Sequence, residues 1–170
     1  HILLDSSGSM TDSGLMLANA VCYAVGKALQ GISGVNLGIT AFPGANRAKR
    51  GTTVAPVLRH GEKLTARFPE IAYGMTPMAE SLWWVMQQMC LLRENRKIIL
   101  IITDGEPDSI PAAQEAFKQA QKKGFECYGL GIMCPSISTL LPHTSRVVET
   151  LPQLAPALFE LLEGALRRNA

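Results

Sequence analysis

The chain has 170 residues, 47% of them apolar, enough for one sizeable core and short for two. With 16 basic and 14 acidic residues the net charge is +2, which gives no field that argues for nucleic acid or an anionic membrane as partner. Its apolar runs fall far below the roughly 20 residues of a membrane span, and its first residues lack the basic, apolar and small-residue order of a secretory leader. A single soluble domain over residues 1–170 is expected. The start three apolar residues before Asp5, with no initiating methionine, reads as a fragment of a longer protein.

In chain order, HILLD reads as a strand, followed by the hydroxyl-rich loop Ser6, Ser7 and Ser9. Residues 11–32 show helical spacing of apolar positions, with Thr11 or Asp12 as cap. VNLGITAF is a β-branched strand ended by Pro43 and Gly44. TTVAPVL fits as its hairpin partner, because the intervening GANRAKRG is polar and bounded by glycine. EKLTARFPEI reads as a short helix, and residues 76–92 as a longer one with Pro77 in its first turn. RKIILIITD is the clearest strand, apolar on both faces as a central parallel strand must be. A helix over 109–124, the strand FECYGLGI, a terminal strand SRVVET and a closing helix over 151–168 complete the series. Such alternation demands an α/β fold: a doubly wound, mostly parallel sheet flanked by helices, with one antiparallel edge strand.

The four cysteines, Cys22, Cys90, Cys127 and Cys134, lie scattered in apolar patterns without a CxxC pair. They read as buried thiols of a reducing compartment, and hence of a cytoplasmic protein; a disulfide or metal knot is the alternative.

Two strands end in aspartate, at Asp5 and Asp104. Two carboxylates on one sheet rim repel each other unless a cation or proton sits between them. The groups expected nearby are hard oxygens: the hydroxyls of Ser7 and Ser9 after the first strand, and of Thr76 before a helix. Oxygen-only ligation suits Mg²⁺, or Mn²⁺, and the lack of Cys and His in these loops argues against zinc or copper.

Asp5-Ser6-Ser7-Gly8-Ser9, the separate Thr76 and the late Asp104-Gly105 together resemble the metal-ion-dependent adhesion site of von Willebrand factor type A domains. The strand and helix order fits that family over essentially the whole chain. Relatives often carry Gly-Gly-Thr where this chain has Gly74-Met75-Thr76. The resemblance implies that Ser7, Ser9 and Thr76 supply hydroxyl oxygens, with the threonine able to enter or leave the coordination sphere. It implies that Asp5 and Asp104 act largely through bound water, leaving one position open for an Asp or Glu of a partner protein.

Each residue also has a plainer reading. Ser7 and Ser9 suit helix caps. Glu106 and Asp108 either tune the site or favour a helix N-terminus. One of Trp83 and Trp84 is expected in the core and the other outside. Arg47, Lys49, Arg50, Arg59 and Lys63 read as a solvated hairpin tip and its surroundings, since no aromatics interleave with them. His1, His60 and His143 read as surface residues.

The expected function is therefore a Mg²⁺-dependent protein-binding module and not an enzyme. Within the family, the intracellular bacterial group working beside AAA+ ATPases of the MoxR or metal-chelatase type fits the free thiols best. An extracellular adhesion-type domain is the nearest alternative. A Mg²⁺ phosphohydrolase is weaker, for want of a phosphate cradle, a nucleophile elbow or a serine with a partnered histidine. A structural domain whose rim site is occupied but unused is the remaining reading.

Overall fold

The computed structural model of the chain describes residues 1–44, 53–65 and 67–167. Six strands, β1 (Ile2–Asp5), β2 (Ile39–Phe42), β3 (Ala55–Leu58), β4 (Lys97–Thr103), β5 (Phe125–Ile132) and β6 (Ser145–Val148), form one sheet in the order β3-β2-β1-β4-β5-β6. All neighbours are parallel except β3, which pairs antiparallel with β2 at one edge. The strand order runs outward in both directions from the β1/β4 pair, so the switch point of this doubly wound sheet lies between those two strands.

Side chains alternate across the sheet and feed two cores. Ile2 and Leu4 of β1, Leu100 and Ile102 of β4, and Leu130 and Ile132 of β5 face helices α1 (Thr11–Gln30) and α5 (Leu154–Arg167). Leu3, Ile99, Ile101 and Cys127 face α2 (Met78–Cys90), α3 (Ile110–Lys122) and α4 (Ser136–Leu140). This two-sided burial is why β4 carries an unbroken apolar run. Trp84 packs on the second core while Trp83 stays exposed.

Three expectations are corrected and one helix is added. The helix expected over 62–71 does not form among the described residues, which run as an irregular strap along α1. Pro69 opposes a helix there, and the segment's polar groups are taken up elsewhere: Gln30 receives the Leu64 amide and donates to the Glu62 carbonyl, and Asn19 donates to the Pro69 carbonyl. Leu64 is buried against Gly26 of α1, where a Cβ would come within 2.7 Å of it. Helix α4, only five residues long, is too short to show a helical period in the sequence. Cys90 is exposed, whereas the other three thiols are buried and all four are free. His1 and His60 are half-buried: their ring nitrogens lie 3.0 Å apart, and the outer nitrogens meet Thr40 Oγ1 and the Asn36 carbonyl. His143 is exposed as expected. Arg47, Lys49 and Arg50 lie outside the described residues.

Gly129 and Gly131 let α4 lie directly on β5. A Cβ at Gly131 would sit 2.4 Å from the Cys134 carbonyl oxygen and 2.7 Å from Ile137, so backbone itself must move. Gly131→Ala is expected to lower the unfolding free energy in urea by about 2–3 kcal/mol. Gly164→Ala, where α5 leaves open space around the residue, is expected to raise it by about 0.5–1 kcal/mol.

Candidate metal centre

The sheet brings the sequence-selected residues to one rim. Asp5 ends β1 and Asp104 follows β4, at the switch point where the loops diverge. Asp5 is fully buried, and its carboxylate accepts the Ser7 amide at 2.8 Å and the Thr103 hydroxyl at 2.5 Å. Ser7 is buried and Ser9 exposed; their hydroxyls lie 3.0 Å apart, and Ser9 donates to Asp104 at 2.6 Å. Neither serine caps a helix. That task falls to Thr11, whose φ of 51° places its hydroxyl to accept the Gly14 amide.

Thr76 is buried at the entry to α2. The turn before it places Gly74 at φ 82°, so the left-handed residue is the glycine and Met75 needs no such conformation. Backbone bonds fix this turn against the serine loop: Gly8 donates to the Gly74 carbonyl at 3.2 Å, and Tyr73 to the Ser6 carbonyl at 3.0 Å.

Three further residues complete the arrangement. Thr103, the hydroxyl that ends β4, donates to Asp5 and accepts the Gly105 amide. Asp108 does not cap α3, which Ser109 does through the Ala112 amide. Instead its carboxylate accepts the Thr76 amide at 2.7 Å, and its own amide donates to the Thr76 carbonyl at 3.0 Å. Gly105 lies where the hydroxyls converge: a Cβ there would sit 3.0 Å from Ser9 Oγ, 3.2 Å from Thr76 Oγ1 and 3.8 Å from Ser7 Oγ. The glycine leaves open a space lined by three hydroxyl oxygens and flanked by two carboxylates, a donor set that fits a hard divalent cation. No cluster of three or more His, Cys, Asp or Glu side chains forms among the described residues.

Burial dominates the electrostatics. Asp5 is pushed up from 3.8 to about 6, first by desolvation, against the lowering bonds from Thr103 and Ser7; repulsion by Asp104 is the smallest contribution. Asp104 is also raised, again by burial first, with the Ser9 bond opposing. The sequence points to mutual repulsion as the reason for a counterion, whereas the loss of water around Asp5 weighs more.

Residues 1–157 match the von Willebrand factor type A domain. No curated protein matches the chain. Proximal thread matrix protein 1 from the mussel byssus is similar in structure, with a TM-score of 0.77 at 15% identity over 96% of this chain and 46% of that one. Its form with a zinc-occupied MIDAS motif gives 0.75 at 14%, covering 96% and 47%. Manganese-loaded Plasmodium vivax TRAP protein gives 0.66 at 16%, covering 95% and 71%. The pilus adhesin SpaC from Lactobacillus rhamnosus GG gives 0.75 at 15%, covering 98% and 30%. The chain thus spans about half the length of the mussel protein and less of the adhesin.

In the metal-free fold Asp5 holds its proton more tightly than in the unfolded chain, about 6 against 3.8. The stability that protonation brings is complete below about pH 4 and is lost as pH rises through 6. A gap of about two units corresponds to roughly 3 kcal/mol. In EDTA at pH 7, Asp5→Asn is therefore expected to stabilise the chain by about 2 kcal/mol in urea unfolding, with the gain vanishing near pH 4. A loss at both pH values would show that the bonds from Ser7 and Thr103 outweigh desolvation.

Proposed function

The chain belongs to the von Willebrand factor type A domain family, and from that premise we propose that it is a Mg²⁺-dependent protein-binding module that recognises an acidic residue of its partner. The observation that carries this reading is the convergence of the Ser7, Ser9 and Thr76 hydroxyls on the space left by Gly105, beside Asp5 and Asp104. In this reading the three hydroxyls ligate the ion and the two carboxylates balance its charge. Mg²⁺ is the resident ion and Mn²⁺ a substitute, as the manganese in the Plasmodium relative suggests. A bound divalent ion whose charge is only just balanced retains Lewis acidity, and an incoming Asp or Glu supplies the oxygen that completes its sphere.

Binding, and not catalysis, is the role proposed. His1 and His60 are engaged with each other, Thr40 and Asn36 around the amino-terminal ends of β1 and β2, and no histidine partners Ser7 or Ser9 among the described residues. The finer proposal is a cytoplasmic bacterial module acting beside an AAA+ ATPase of the MoxR or chelatase type. Its support is the four free cysteines, since secreted domains of this size tend to oxidise such thiols into bridges. An adhesion-type role is the second reading, favoured by the likeness to a pilus adhesin.

Gly105→Ala places a methyl against the Ser9 and Thr76 hydroxyls and is expected to weaken Mg²⁺ and Mn²⁺ binding at least tenfold by calorimetry, while the metal-free unfolding curve shifts little. For the partner, the chain serves as bait in lysate with Mg²⁺, with EDTA, and as Asp104→Ala. A partner retained only by the intact site with metal is the expected result, and an ATPase among the prey supports the intracellular reading. The same prey in all three samples would remove the metal from recognition.

A further inference from the structure

Beside the proposed metal seat the rim carries a second feature that the metal does not use. A cleft of about 260 Å³ opens between the first turn of α3 and α4, walled by Pro107, Ile110, Pro135 and Leu140, with the polar Glu106, Ser136 and Thr139 completing it. It begins at the loop that holds the site: Glu106 follows Gly105, and Cys134, next to Pro135, donates its thiol hydrogen to the Gly105 carbonyl at 3.3 Å. Its volume falls below the roughly 300 Å³ at which small-molecule pockets begin and suits one large side chain.

Apolar side chains on the loops around it are exposed. Ile110 is 40% exposed, Met133 68% and Met75, adjacent to Thr76, 71%. Met133 also holds φ at 52°, a conformation costly for a non-glycine residue and concentrated at functional sites. Ile110 lines the cleft itself, Met133 precedes Cys134 and Met75 precedes Thr76, and exposed apolar residues beside a polar centre mark an interaction surface more than a solvated loop. Glu106 is exposed at the cleft, so charge assigns the two positions: a partner carboxylate is repelled from the cleft and drawn to the cation.

We infer that the partner presents, beside the acidic residue offered to the metal, one large apolar side chain that seats in the cleft between α3 and α4. This rests on the metal-dependent reading above and adds the second half of the recognised motif. The metal seat supplies orientation; the cleft supplies desolvated apolar contact of the kind that dominates interface energies.

The test pans a phage-displayed random peptide library on the chain in Mg²⁺, elutes with EDTA, and measures the consensus peptide against three proteins: the native chain, Thr139→Trp and Asp104→Ala. Thr139 is exposed, so the tryptophan fills the cleft without entering the core, and unchanged unfolding and Mg²⁺ affinity verify this. The expected consensus holds Asp or Glu with Leu, Ile, Met or Phe at one fixed offset. Replacing that apolar residue by Ala should weaken binding about tenfold on the native chain and hardly at all on Thr139→Trp, the signature of a shared contact. Thr139→Trp should keep its Mg²⁺ dependence, and Asp104→Ala should bind neither peptide. An acid-only consensus, or an equal loss on Thr139→Trp, overturns the cleft assignment and leaves the metal reading standing. Peptides bound equally in EDTA, or none selected in Mg²⁺, overturn both.

Discussion

The carboxylate of Asp5 has been taken out of water at the end of a central strand, and the rest of the rim is arranged around that fact. Its two oxygens are met by one amide and one hydroxyl, from Ser7 and Thr103. Two neutral donors soften but do not cancel the desolvation of a buried anion; its proton affinity stays well above that of an exposed aspartate. In the proposed reading a cation beside Asp5 would offset that desolvation, and the fold and the ion would then stabilise each other. The sheet topology decides where this happens, because only at the β1/β4 junction do two strand ends release their loops in opposite directions and leave room between them.

The hydroxyls that face the same space come from separate loops, and their mutual placement is set by backbone bonds instead of by the side chains themselves. The serine loop is joined to the turn before α2 through Gly8 and Tyr73, and that turn is joined to the loop after β4 by the two-way pairing of Thr76 with Asp108. The loop after β5 adds the Cys134 contact to Gly105. Four segments far apart in sequence are thus held in one hydrogen-bonded frame.

Much of this was legible beforehand because it rests on local pattern. The unbroken apolar run of KIILIIT announces a central parallel strand, and an aspartate after such a run announces a rim. Asp5, Ser7, Ser9, Thr76 and Asp104 could be read as a set because hard-oxygen chemistry selects residue types before geometry is known. What escaped depends on non-local partners. The strap over 62–71 has enough helix-forming residues to suggest a helix, yet Gln30 and Asn19 on another element claim its backbone groups. Asp108 looks like a helix-start acid until Thr76 is seen beside it. His1 and His60, remote in sequence, read as surface residues because nothing local reveals that β2, parallel to β1 and antiparallel to β3, brings the two rings together. Gly105 is two residue types at once: a turn glycine by sequence, and by position the absent methyl that keeps the centre open.

The uneven exposure of the thiols has a practical consequence. Burial pushes Cys22 and Cys127 up to about 12, so at neutral pH almost none of either exists as the nucleophilic thiolate, and Cys134 is enclosed as well. Cys90 alone meets solvent, at the last residue of α2. That helix starts beside Thr76 and runs 13 residues away from the rim, about 20 Å at the α-helical rise. A maleimide or a gold surface would therefore capture the chain at its far pole, tethering every molecule in the same orientation with the hydroxyl-lined rim turned towards solution.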